Sequence, residues 1–133
     1  MSQCEYVTIE YYPKTFNDEH INVAFALHDP VQGRMYFTPI KNYHRVTAFD
    51  DEIAEDEFKN LLASVQSYFE SPFAESLLPK RNDNLIYSPD FFDENRHVFL
   101  NQFRLSKTLY CETKNPKETC DLLSKVALFY DHE

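Results

Sequence analysis

A chain of 133 residues has room for one hydrophobic core, which predicts a single domain over 1–133. Hydrophobic residues make up 43%, with twelve Phe and nine Tyr, enough to pack an interior and to exclude wholesale disorder. The net charge is −9, from 22 acids and 13 bases, and Lys80-Arg81 is the only adjacent basic pair, which disfavours nucleic acid as a direct ligand.

From Glu5 to Tyr12 the residues alternate, with Val7, Ile9 and Tyr11 on one face and Tyr6, Thr8 and Glu10 on the other, the pattern of a half-buried strand. A polar stretch from Lys14 to His20 follows Pro13. Then Ile21, Val23, Phe25 and Leu27 alternate with Asn22, Ala24, Ala26 and His28, predicting a second strand with small residues on its other face. Asp29-Pro30-Val31-Gln32-Gly33 contains the chain's only glycine and predicts a turn that returns the chain as Met35–Pro39, completing an antiparallel meander.

Six acids fall within the eight residues Asp50–Glu57, and Phe58, Leu61, Leu62, Val65, Tyr68 and Phe69 then recur at helical spacing, predicting one long amphipathic helix from about Ile53 to Glu70. Ser71-Pro72 is its stop. From Pro72 to Asn95, with Pro72, Pro79 and Pro89, short helical turns and a surface loop are expected. His97–Cys111 returns to strand character as one long or two short strands. Asn115-Pro116-Lys117-Glu118 predicts a capped helix start, after which Thr119, Leu122, Leu123, Val126, Ala127 and Tyr130 would line one face. The order of elements predicts an α+β fold, a mainly antiparallel sheet of four or five strands with both main helices packed on one face.

Three segments carry a family resemblance: "EYVTIEYYP", "HINVAFALHDP" and "NQFRLSKTLYCETKNPKETCDLLSKVALFY". Together they resemble the bacterial family catalogued as domain of unknown function 3037, with an opening strand ending in Tyr-x-Pro, an Asn-Val second strand ending in a Pro turn, and a late strand leading to a Leu-rich helix. This chain has Ala24 where the family usually carries Gly after Asn-Val. The resemblance implies a fold and no established activity. Members are often encoded beside HipA-type kinase genes, which implies an accessory or neutralising partner of a kinase toxin.

The acids Asp50, Asp51, Glu52, Glu55, Asp56 and Glu57 are the sharpest candidate site. Two or three acids satisfy a helix N-terminus, but six crowd like charges, which points to docking of a protein partner with a basic surface. Two alternatives use the same charges: a nucleic-acid mimic of the anti-CRISPR kind, extended by Asp18, Glu19, Asp90, Asp93 and Glu94, and a metal-assisted hydrolase with Mg²⁺ or Ca²⁺ on the carboxylates. His20, His28, His44 and His97 lack metal-ligand spacing, and His28-Asp29 is the best acid–base candidate among them. Cys120, in the first turn of the last helix, is a candidate reactive thiol. Tyr6, Tyr12, Tyr36 and Tyr43 would form a stacking strip only with interleaved bases, which the chain lacks.

No cofactor is expected, since the chain has neither a phosphate-binding glycine loop nor a nucleophile elbow. Cys4, Cys111 and Cys120 are odd in number and without CxxC spacing, which predicts reduced thiols. The start Met1-Ser2-Gln3-Cys4-Glu5 resembles no signal peptide and no apolar run approaches the roughly 18 residues of a span, so a cytoplasmic protein without membrane contact is expected. An open sheet edge leaves room for a homo-oligomer. These features together predict a non-catalytic regulatory or inhibitory binding protein of bacterial or phage origin.

Overall fold

A computed structural model describes residues 2–14, 19–50, 52–70, 90–96 and 102–128. Among these described residues, five strands form one sheet: β1 (Ser2–Tyr11), β2 (Ile21–Asp29), β3 (Arg34–Pro39), β4 (Phe103–Leu105) and β5 (Leu109–Thr113). Four helices among the described residues accompany them: α1 (His44–Phe49), α2 (Glu55–Glu70), α3 (Phe91–Asn95) and α4 (Pro116–Ala127). The order is β3-β2-β1-β4 with β5 also on β1, and every pairing is antiparallel. This is the expected α+β class with a meander at its start. No helix among the described residues is long and apolar enough to cross a membrane.

The hairpin forms where Asp29 and Gly33 dictate it. Asp29 Oδ1 accepts the amides of Val31 (3.0 Å) and Gln32 (3.3 Å), and Gly33 takes the left-handed φ of 63° that a side chain would resist. On its other side β1 pairs first with β5 and then with β4. Three steps along β1, from Tyr6 to Ile9, face four steps from Leu109 to Leu105, so the later strand carries a one-residue bulge. Ser106 bridges the gap: its amide donates to Thr8 O (2.9 Å) and its Oγ accepts Thr8 N (2.8 Å). Arg96 Nη1 donates to the carbonyls of Leu105 and Ser106 at 2.9 Å each, while Nη2 reaches Thr108 Oγ1 (2.8 Å) and Asp93 Oδ1 (3.3 Å). The bulge thus becomes the anchor that holds α3 against the sheet.

The two long helices, expected together on one face, lie on opposite faces. Successive strand residues point to opposite sides. Phe37 stacks on Phe69 of α2 with ring centres 5.7 Å apart, whereas Thr38 Oγ1 meets Cys120 Sγ of α4 at 3.7 Å. The physical reason is in β2, where every residue from Val23 to Asp29 is buried, so both of its faces need cover. On the α2 side the small Ala24 and Ala26 leave space for an aromatic layer of Phe37, Phe58, Phe69, Phe91 and Phe92. Of the expected α2 stripe, Phe58, Leu62, Val65, Tyr68 and Phe69 are buried, while Leu61, at its edge, is only half-buried.

Helix α4 starts as predicted, with Asn115 Oδ1 accepting Glu118 N (3.2 Å) and Pro116 in the first turn. The other half of the capping box is replaced: Thr113 Oγ1, rather than Glu118, takes the Asn115 amide at 3.0 Å. Its buried face also differs. Pro116, Cys120 and Ser124 face the sheet, while Leu122 and Val126 stand 58% and 74% exposed. Short side chains at 120 and 124 let the helix lie close on β2 and β3, which turns the bulkier pair outward. Helix α1 has no counterpart in the residue pattern, being only six residues with one buried position, Val46. The expected structure over 71–89, the start of the late strand at His97, and Tyr130 lie outside the described residues.

Candidate functional site

The acidic segment divides by what each side chain touches. Asp50 closes α1 and is half-buried: its Oδ2 accepts the hydroxyl of the fully buried Tyr11 (2.8 Å) and its Oδ1 accepts Glu52 N (3.1 Å). Burial, and then the hydrogen bond to Asp50, hold the Tyr11 hydroxyl well above the ordinary tyrosine range. Asp50 therefore ties the α1–α2 connection to the sheet. Glu52 is exposed in the turn before α2, and Glu55, Asp56 and Glu57 are exposed in its first turn. Among the described residues no base is ion-paired with these four acids. Asp51 lies outside the described residues.

A second site stands at the other end of the sheet. Glu5 and His28 are direct cross-strand partners on the α2 side, 1% and 0% exposed, with Glu5 Oε1 3.1 Å from His28 Nδ1. The same oxygen accepts the amide of Phe92 (3.2 Å), and the rings of Phe91 and Phe92 close over His28 at 4.9 and 6.2 Å. Glu5 Oε2 is buried without a hydrogen-bond partner, as is Asp29 Oδ2 on the opposite face. Across β1 the partner of Glu5 is Tyr110, so His28, Glu5 and Tyr110 form one row over three strands. Beside this row opens a cavity of about 350 Å³ lined by Gln3, Cys4, Glu5, Pro30, Val31, Asp90 and Tyr110. The Tyr110 hydroxyl is held above its ordinary range by desolvation and by Asp93, Glu5 and Asp90.

Sequence reasoning singled out His28 and missed Glu5. The available signal was phase: Glu5 shares the parity of Val7, Ile9 and Tyr11, a charged residue on a face otherwise committed to the core. His28 has no exposed surface, which closes it to acid–base exchange with an outside substrate in this conformation. Cys120 is likewise no activated thiol: burial pushes it up to about 11, against the slight lowering by Thr38. The tyrosines do not share one strip, since Tyr6 meets Phe25, Tyr12 lies between His20 and Arg104, and Tyr43 meets Phe58. His44 is exposed, while His97 lies outside the described residues.

The remaining acids fall into two groups. Asp90, Asp93 and Glu94 sit at the Glu5 end, whereas Glu19 and the head of α2 sit near Tyr11, six residues and roughly 20 Å along β1. Asp18 lies outside the described residues. Among the described residues no group of three or more His, Cys, Asp or Glu is arranged to hold a metal ion. No protein-family model, curated protein or solved structure matches the chain.

Proposed function

We propose that this chain is a non-catalytic binding protein that docks a protein partner with a basic surface on Glu52, Glu55, Asp56 and Glu57. One observation carries the reading: these four carboxylates are exposed at the head of α2 with no ion pair among the described residues. A helix dipole accounts for two or three acids in a first turn, each contributing about 0.3–1 kcal/mol. Additional like charge is unfavourable in the free protein and is relieved when a cationic surface covers it. Asp50 serves the site indirectly by fixing the connection that leads into α2. The resemblance to domain of unknown function 3037 makes a HipA-type kinase toxin the first partner to try, with this chain as its neutralising subunit.

The test is the fourfold variant Glu52→Lys, Glu55→Lys, Asp56→Lys, Glu57→Lys, confirmed as folded by circular dichroism and measured against the kinase by calorimetry. Binding should weaken by at least about tenfold, and the wild-type affinity should fall as salt rises from about 50 to 300 mM, because rim charges are screened. Unchanged affinity in the reversed variant removes the proposal.

A further inference from the structure

We infer that Cys4 and Cys111 are a site of oxidative modification, two thiols that hydrogen peroxide joins into a disulfide between β1 and β5. The strand register carries the inference. Cys4 and Cys111 are direct cross-strand partners, so their side chains leave the same face of the sheet. Further along β1, Thr8 O accepts Ser106 N and Tyr12 N donates to Gln102 O, which puts the even-numbered residues of β1 in hydrogen-bonded pairs on this side. The Cα atoms of such a pair lie about 5.5 Å apart, within the roughly 4.4–6.8 Å that disulfides span. Their Cβ atoms, about 4.5–5.5 Å apart, must close to about 4 Å. That is a small shift for β5, which among the described residues pairs with β1 alone.

All three cysteines are thiols in this structure, and the third is out of reach of the pair. Cys120 meets Thr38, whose row across the sheet runs through Phe25 to Thr8, four residues and roughly 13 Å along β1 from Cys4. Cys4 is 1% exposed and Cys111 is half-buried, so Cys111 is the thiol that the oxidant meets first. Its thiolate attacks one peroxide oxygen, the O–O bond breaks, and a sulfenic acid and one water result. The Cys4 sulfur then attacks the Cys111 sulfur; the S–O bond breaks, and the departing hydroxide takes the Cys4 proton to become a second water. Two thiols and one peroxide thus give one disulfide and two waters. Burial raises both thiols, so few are ionised at neutral pH and the reaction quickens as pH rises. This site is separate from the head of α2 and stands or falls independently of the docking proposal.

Hydrogen peroxide added to the reduced, folded whole chain, followed by tryptic mapping without reductant, tests it. Residues 1–14 should appear linked to residues 108–114, and dithiothreitol should release them. This linkage should exceed any through Cys120 by at least about tenfold, whereas in urea the three thiols should pair without that preference. Cys120→Ala should leave the linkage unchanged. Cys4→Ala should instead leave Cys111 as a sulfenic acid that dimedone traps, and the wild-type and Cys120→Ala maps keep the test decisive if that variant misfolds. Linkage mainly through Cys120, a bond between the Cys111 residues of two chains, or Cys111 oxidised while Cys4 stays a thiol overturns the inference.

Discussion

The Tyr11–Asp50 hydrogen bond separates structural from functional acidity, and a double-mutant cycle measures it. Tyr11 is fully buried, with its ring 5.1 Å from Phe58 and 5.2 Å from Phe103, so Tyr11→Phe keeps the packing and deletes one hydroxyl. That hydroxyl donates to a carboxylate at 2.8 Å in a partly buried setting. Hydrogen bonds to charged groups contribute about 1.5–3 kcal/mol, and partial solvent access places this one near 1.5–2 kcal/mol. Asp50→Ala loses the same bond and also the Asx bond to Glu52 N, so it should cost about 2–3.5 kcal/mol. In the double variant the hydroxyl is no longer left without an acceptor, and the two costs should fail to add by about 1.5 kcal/mol. Urea unfolding of the four proteins gives the coupling directly. Additivity within about 0.3 kcal/mol would refute the assignment of Asp50 as a structural anchor and return it to the exposed docking set.

Two further outcomes follow from the same geometry. Asn115→Ala removes the side-chain oxygen that accepts Glu118 N at 3.2 Å and should lower stability by about 1 kcal/mol in urea unfolding, while Asn115→Ser should recover most of it. At alkaline pH the thiols set the slope: burial, then Asp29 and Cys111, push Cys4 from 9.0 up to about 12, and burial pushes Cys120 up to about 11. Both raised values favour the protonated, folded form, so this stability is complete below pH 9.0 and is lost as pH rises toward about 12. The loss is at most about 1.4 kcal/mol per pH unit for each thiol. Tyr11, raised from 10.0, adds in the same sense above that pH. A Cys4→Ala, Cys120→Ala variant should show a flatter profile between these limits, and an unchanged slope counts against thiol linkage.

Much of the architecture is legible in the residues because it rests on local periodicity. The alternation of Val7, Ile9 and Tyr11, the Asp29–Gly33 turn, the 58-62-65-69 stripe of α2 and the Asn115–Glu118 cap all act within a few residues, where spacing and backbone preference decide the outcome. The short α1 carries too few turns to show a period, and the apolar spacing of α4 does not mark its buried face at Leu122 and Val126. There the largest side chains point outward because small Cys120 and Ser124 permit close approach to the sheet.

The candidate sites show the same division. That Asp50–Glu57 is acidic is plain from the residues, but that Asp50 is held by Tyr11, 39 positions away, required the strand to be folded beneath α1. Glu5 and His28 are 23 residues apart and Phe92 a further 64 beyond His28, and only the β1–β2 register and the docking of α3 bring them together. The sequence by itself determined the strands, the long helices and the excess of negative charge, all set by short-range spacing and composition. The tertiary structure alone decided which face each helix covers and which carboxylate is buried beside a cavity, since those depend on long-range pairings that no local pattern encodes.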